Sequence, residues 1–262
     1  MIAWSYGGGI QSVAIGVLIR QGVLPKPDLA AIADTSRERR TTWEYLYGTM
    51  RPYLEPAGVR VEVAPHTLAR VDLYATTSDK PLVPAYTRIT TSVDGLFGKQ
   101  DEHQDGRLPG YCSGEWKRDV FERWLRLQGV KECDCWIGYS LDEEWRVKGD
   151  HRPWCRYRHP LIDLRLSRAA CVLLIEKAGL PVPRKSRCFD CPHQSPAEWL
   201  EVKADPEEWA LAVERDRYIR ERDEHKGLFL YSGRVPLELA DFKTDAGLAP
   251  PGRPCETGHC WT

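Results

Sequence analysis

Apolar positions in the first part of the chain fall into short runs set apart by glycine turns and amphipathic stretches. Residues 1 to 6 predict a buried strand, Gly7-Gly8-Gly9 a turn, and Ile10 to Ile19 an apolar helix. Leu29 to Ala33 predicts a second strand ending at Asp34-Thr35, Thr41 to Leu54 carries helical periodicity, and Val59 to Ala64 alternates like a third strand. Strands and helices in alternation with short links predict an α/β fold, a Rossmann-like parallel sheet with helices on both faces. Further on, a helix is expected from Ser113 to Gln128, a buried strand from Cys133 to Ser140, and a helix over 168–178 closed by Gly179, Pro181 and Pro183. Pro196 to Glu224 again reads as helical. Residues 65–111, rich in Thr, Asp, Gly and Pro, read as a long, partly helical insertion or lid. The expected partition is an α/β domain over 1–183 and a small cysteine-bearing subdomain over 184–262.

Composition narrows the class. The 262 residues are 42% hydrophobic and 29% charged, with a formal net charge of −1, values that exclude disorder, collagen and coiled coil. No run approaches the roughly 18 to 20 apolar residues of a membrane helix, so no membrane partner is expected. The opening Met1-Ile-Ala-Trp-Ser-Tyr lacks a basic region and a small-residue cleavage site, so a cytoplasmic location with reduced thiols is expected. Between Trp145 and Arg187, eleven basic residues face three acidic ones, a local excess that favours an anionic ligand, either nucleotide phosphates or a nucleic acid strand.

Three groups of residues carry candidate chemistry. The turn at Gly7, Gly8 and Gly9, followed by Gln11 and Ser12, puts main-chain N–H groups and a helix dipole where a phosphate would land. It has neither the Walker spacing nor G-x-G-x-x-G. Asp34 and Thr35 follow the second strand, and Asp142 and Glu143 a later one, at the strand ends where open α/β sheets collect ligands. A ribose hydroxyl or a magnesium ion would be the partner of such an acid; capping the next helix is the competing role, and for Asp142 the two weigh equally.

Nine cysteines in a reducing compartment point away from disulfides. Cys133 and Cys135 on a strand, Cys171 in a helix and Cys155 in a loop read as packing residues. Cys188-x-x-Cys191 is the sharpest metal signal, half of a tetrahedral site that Cys112, Cys255, Cys260, His193 or His259 would complete. Zinc and an iron–sulfur cluster both suit such a set, a thioredoxin-like pair fits the late, proline-flanked position poorly, and two inert thiols is the plainest alternative. Trp116, Trp124, Trp199 and Trp209, at helical spacings, are assigned to the core.

With these residues in view, the chain resembles the PP-loop superfamily of adenine nucleotide α-hydrolase-like enzymes, and within it the phosphoadenylyl-sulfate (PAPS) and adenylyl-sulfate reductase family. Gly7-Gly8-Gly9-Ile10-Gln11-Ser12 is similar to S-G-G-x-D-S, with Gly7 for the Ser and Gln11 for the Asp. Asp34-Thr35-Ser36 resembles D-T-G, and Cys112-Ser113-Gly114-Glu115-Trp116-Lys117 resembles C-C-x-x-R-K. Gly138-x-Ser140-x-Asp142-Glu143, Pro160-Leu161, Lys185-Ser186-x-Cys188-x-x-Cys191-Pro192 and Glu198-Trp199 look like segments of PAPS-reductase-like proteins of phages and mobile elements. The likeness spans nearly the whole chain.

The resemblance implies a PP-loop (HUP-type) fold binding ATP, PAPS or adenylyl sulfate through Gly7, Gly8, Gly9, Gln11, Ser12, Asp34, Thr35, Gly138, Asp142 and Arg146, with Mg2+ as a further candidate. It also implies a [4Fe-4S] cluster on Cys112, Cys188, Cys191 and Cys260, with zinc as the alternative. Cys255 or Cys260 would be the nucleophile, with Lys117 also catalytic and a thiol reductant or sulfur donor as partner. A second version is ATP-dependent adenylation and thiolation of a nucleic acid base. A non-catalytic nucleotide-binding module stapled by zinc is the third.

Overall fold

The computed structural model describes residues 1–70, 83–95, 98–150, 152–222 and 227–246. In chain order the regular elements are β1 (Ile2–Ser5), α1 (Ile10–Arg20), β2 (Leu29–Ala33), α2 (Arg40–Tyr45), α3 (Arg51–Leu54), β3 (Val61–Ala64), β4 (Ala85–Gly95) and β5 (Gly98–Leu108). They continue with α4 (Asp119–Leu127), β6 (Cys133–Trp136), β7 (Cys155–Arg158), α5 (Pro160–Asp163), α6 (Arg168–Lys177), α7 (Pro196–Lys203), α8 (Pro206–Arg222), β8 (Leu228–Phe229) and α9 (Phe242–Ala246). The described residues divide into two compact units, one made of 1–70 and 113–188, the other of 83–112 and 189–246.

The first unit is α/β, with five strands in the order β3-β2-β1-β6-β7, all parallel. Alternation along each strand sends neighbours to opposite faces. Trp4, Ala30, Ile32, Val61 and Trp136 pack against α1, α6 and the Leu46–Leu54 stretch. Ala3, Ala31, Ala33, Cys133, Cys135 and Cys155 pack on the other face against Val120, Phe121, Trp124 and Leu125 of α4. Helices thus cover both faces, as the alternating pattern predicts. α1 is buried along nearly its whole length, which explains its continuous apolar run rather than a one-sided stripe.

Several expectations are corrected. Cys155 lies in β7, not in a loop. The strand Cys155-Arg-Tyr-Arg reads as polar, and its arginines are answered by Asp134 of the neighbouring strand, which bonds Arg156 at 3.1 Å and Arg158 at 3.0 Å. The helix expected from Thr41 to Leu54 is broken by a wide i→i+5 turn over Leu46–Met50, and a similar wide turn, Ser113–Arg118, precedes α4. The helix expected from Pro196 to Glu224 is two, because Pro206 starts a new one and Asp205 Oδ1 accepts the Glu207 and Glu208 N–H groups at its head.

In the second unit, the stretch expected to be partly helical forms a long antiparallel hairpin. β4 and β5 pair from Ala85↔Leu108 to Gly95↔Gly98, and β8 adds to β4 at Tyr86↔Phe229. The β-branched residues Thr87, Ile89, Thr90, Thr91 and Val93 favour the first of its strands. Trp199, Trp209 and Tyr231 surround Phe242, with ring centroids 6.1, 6.0 and 4.9 Å from it, and Trp116 and Trp124 are buried in the first unit, as assigned. The expected boundary at 183/184 falls five residues short of the observed change of unit after Cys188. No helix among the described residues is long and apolar enough to cross a membrane.

Candidate functional site

The chain leaves the central strand β1 through Tyr6 and the glycine turn. Gly7 N–H donates to Ser12 Oγ at 2.8 Å. Gly8 has φ +75°, and a Cβ there would lie 2.5 Å from Thr42 Cγ2. A left-handed backbone against a packed neighbour admits only glycine. At Gly9 a Cβ would stand 3.1 Å from Ser186 Oγ. α1 begins at Ile10 with no capping side chain and no acid in its first turn, so its positive dipole end meets no negative charge from its own first turn. β1 has β2 on one side and β6 on the other, the switch point at whose strand ends an open α/β sheet forms its crevice.

The loop after β6 closes tightly on the head of α1. A Cβ at Gly138 would be 3.3 Å from Ser12 N and 3.4 Å from Gln11 Cβ. Beyond it, Gln11 Nε2 donates to Glu143 Oε2 at 2.8 Å, the other Glu143 oxygen pairs with buried Arg146, and Arg168 Nη1 donates to Gln11 Oε1 at 3.3 Å. Asp142 accepts the Arg168 N–H at 2.9 Å at the head of α6, so its structural role, evenly weighed beforehand, is realised in the fold. The Arg146 guanidinium stacks over Tyr139 at 4.4 Å, and His159, from the end of β7, stacks on the same residue at 5.3 Å. Burial holds the Tyr139 hydroxyl above its ordinary range and the His159 imidazole below its own.

The loop after β2 is built differently. Ser36, at φ +59°, donates its N–H to Asp34 Oδ1 at 2.6 Å, and Asp34 Oδ2 is 3.5 Å from His66 Nδ1. Thr35 Oγ1 accepts the Arg37 N–H at 3.3 Å and lies 3.5 Å from Cys188 Sγ. Glu38 pairs across an antiparallel bridge with Cys188, and Arg39 N–H donates to Arg187 O at 3.1 Å. The Glu38 carboxylate, 2% exposed, receives Lys117 Nζ on Oε1 at 2.6 Å. Its Oε2 is buried with no hydrogen-bond partner among the described residues.

The fold therefore gathers Gly7, Gly8, Gly9, Gln11, Ser12, Gly138, Asp142 and Arg146 around one end of α1, and brings Thr35 against Cys188 and Lys117 against Glu38, the bridge partner of Cys188. Cys255, His259 and Cys260 lie outside the described residues. Among the described residues no group of three His, Cys, Asp or Glu side chains is arranged to hold a metal ion; Cys112 and Cys191 belong to the second unit and Cys188 to the first. The packing cysteines behave as such: Cys133 and Cys155 face each other in register at 3.7 Å, the contact and burial raise the Cys133 thiol well above its usual range, and burial pushes Cys171 up to about 12.

Among the described residues, at least four of the eleven basic residues between Trp145 and Arg187 are paired with carboxylates from outside that segment. Arg146, Arg152, Arg156 and Arg158 meet Glu143, Glu122, Glu132 and Asp134, so part of the excess charge is neutralised within the fold. Sequence reasoning missed Glu38 and the contact of Ser186 with the glycine turn. The signal for Glu38 was a single acid among arginines, Arg37-Glu38-Arg39-Arg40, just past a buried strand. No family model, curated protein or solved structure matches the chain.

Proposed function

We propose that the chain is a PP-loop-type, PAPS-reductase-like enzyme of the cytoplasm. Its glycine turn binds the phosphates of an adenine nucleotide, and it carries out sulfur chemistry at the adjoining strand ends. One observation carries this reading: the segment Ser186–Cys188, bridged at Cys188 to Glu38, lies by the glycine turn, with Ser186 Oγ against Gly9 and Cys188 Sγ 3.5 Å from Thr35 Oγ1. A thiol beside an anion-receptive turn is what nucleotide-linked sulfur chemistry requires.

In the reductive version a cysteine thiolate, Cys255 or Cys260, attacks the sulfur of an activated sulfate. The S–S bond forms as the S–O bond to the nucleotide breaks, and the nucleotide leaves with the electron pair. An external thiol then displaces sulfite and leaves a disulfide, so two thiols are oxidised for one sulfate reduced. Lys117 supplies positive charge to the sulfuryl oxygens.

A second reading, ATP-dependent adenylation and thiolation of a nucleic acid base, is favoured by Trp145. This side chain is 59% exposed, in a segment rich in Lys and Arg, and an exposed ring of that kind suits base stacking. Assaying sulfite release from PAPS against AMP and pyrophosphate release from ATP separates the two. Sulfite supports the first version, AMP with pyrophosphate the second, and neither product with either nucleotide removes the enzymatic reading.

A further inference from the structure

Three cysteine thiols of the first unit share one face of its sheet. Cys133 and Cys135 stand two residues apart on β6 and so face the same way, and Cys155 opens β7. All three are fully buried and pack against Val120, Phe121, Trp124 and Leu125 of α4. Cys133 and Cys155 are also register partners on adjacent parallel strands. Such partners stand about 4.8 Å apart at Cα, inside the roughly 4.4–6.8 Å that a disulfide spans. The Cys133 S–H donates to Cys155 Sγ at 3.7 Å, so the two sulfurs already face each other.

Burial holds both thiols above their usual range. In the closed sheet they are protonated and pack as inert side chains. β7 is the place where the sheet opens most readily. It is the last strand in the order β3-β2-β1-β6-β7 and pairs with β6 alone. Away from β6, its backbone is met by the Arg152 carbonyl, which accepts the Cys155 N–H at 3.0 Å, and by the Asp150 carboxylate, which accepts the Tyr157 N–H at 2.7 Å. A four-residue edge strand held in this way opens locally at less cost than the strands inside the sheet.

We infer that Cys133 and Cys155 form a redox latch: an oxidant of the peroxide class joins them in a disulfide that ties β7 to β6, and a thiol reductant opens it again. When β7 opens, Cys155, whose sulfur accepts the Cys133 S–H, gives up its proton to water and attacks a peroxide oxygen. The O–O bond breaks, and hydroxide leaves and takes up a proton. The Cys133 thiolate then attacks the sulfur of the sulfenic acid, the S–S bond forms, the S–O bond breaks and water leaves. Two thiols lose two electrons, and the peroxide becomes two waters. The latch does not depend on the nucleotide chemistry proposed above. Its consequence is local: the joined strands lead on to Gly138 and His159, so the edge of the sheet beside the head of α1 is held closed.

The test treats the reduced, folded full-length protein with hydrogen peroxide, blocks the remaining thiols with a maleimide in denaturant, and maps linked peptides by mass spectrometry. Amide exchange over residues 155–158 is followed in parallel. Expected are a Cys133–Cys155 link and exchange slowed by about tenfold, with both reversed by dithiothreitol in native buffer. Cys155→Ala should remove the link and the slowing together; should that variant fail to fold, Cys133→Ala makes the same comparison. Cys133 and Cys155 staying reduced at a dose that oxidises glutathione in a parallel sample would overturn the inference. So would a link that forms only in denaturant, a link from Cys155 to Cys135 or to a second chain, or a Cys133–Cys155 link that leaves exchange in β7 unchanged.

Discussion

The loops leaving β6 and β2 flank the same glycine turn, yet they treat their acids in opposite ways. After β6, Asp142 and Glu143 have donors on every oxygen: the Arg168 N–H, the Ser140 hydroxyl, the Gln11 amide and Arg146. After β2, Glu38 has one buried oxygen without a hydrogen-bond partner among the described residues, while its other oxygen meets Lys117. Satisfied acids lock a loop in place; an unsatisfied one retains free energy that a reacting site can use. On the proposed reading, the β6 side would shape the nucleotide cradle and the β2 side would hold the reactive groups.

Changes to the glycine turn break both sides at once. Gly8→Val forces a β-branched residue into φ +75° and a Cβ to 2.5 Å from Thr42 Cγ2, a cost on the order of 3 kcal/mol. Chemical denaturation should show it, and ATP affinity should fall with it; a variant that keeps both would mean that the turn neither needs glycine nor binds nucleotide.

On the β6 side, effects should appear in stability. Glu143→Ala takes a carboxylate partner from Arg146 and an acceptor from Gln11. Since its side chain is 21% exposed, the loss should be about 2 kcal/mol, below the fully buried limit. Asp142→Ala removes the acceptor of the Arg168 N–H, expected to cost about 1 kcal/mol in a denaturant titration. If either variant instead lowered turnover at unchanged stability, the two sides would not differ as described.

The smallest effect is electrostatic. Burial depresses the His159 imidazole below its ordinary value of 6.5. The folded state therefore resists protonation more than the unfolded chain does. Its full stability is present above 6.5, and part is lost as pH falls toward the lower folded value. His159→Phe should flatten that slope in unfolding curves taken across the range, at the cost of the imidazole's bond to the Ile137 backbone. An unchanged slope would assign the acid sensitivity elsewhere.

Much of the sheet was legible in the sequence, because β1, β2 and β3 are short apolar runs between unmistakable breaks. β7 was not, since its partner charge is supplied by the neighbouring strand β6, and periodicity does not register a pairing of Arg156 and Arg158 with Asp134. The hairpin of β4 and β5 was hidden by its Thr, Asp and Gly content, which resembles loop composition although its β-branched run favours a strand. Of the site, the glycine turn and the acids at strand ends were readable from local order. Glu38 was not, because its meaning comes from Lys117 and Cys188, 79 and 150 residues further along the chain.

Amide hydrogen exchange over residues 7–13, followed with and without saturating ATP or PAPS, tests the nucleotide cradle most directly. Slowed exchange at the glycine turn and the first turn of α1 is the predicted result. Exchange there unchanged by either nucleotide, while the unaltered protein binds one of them by calorimetry, would place the nucleotide elsewhere and contradict the account.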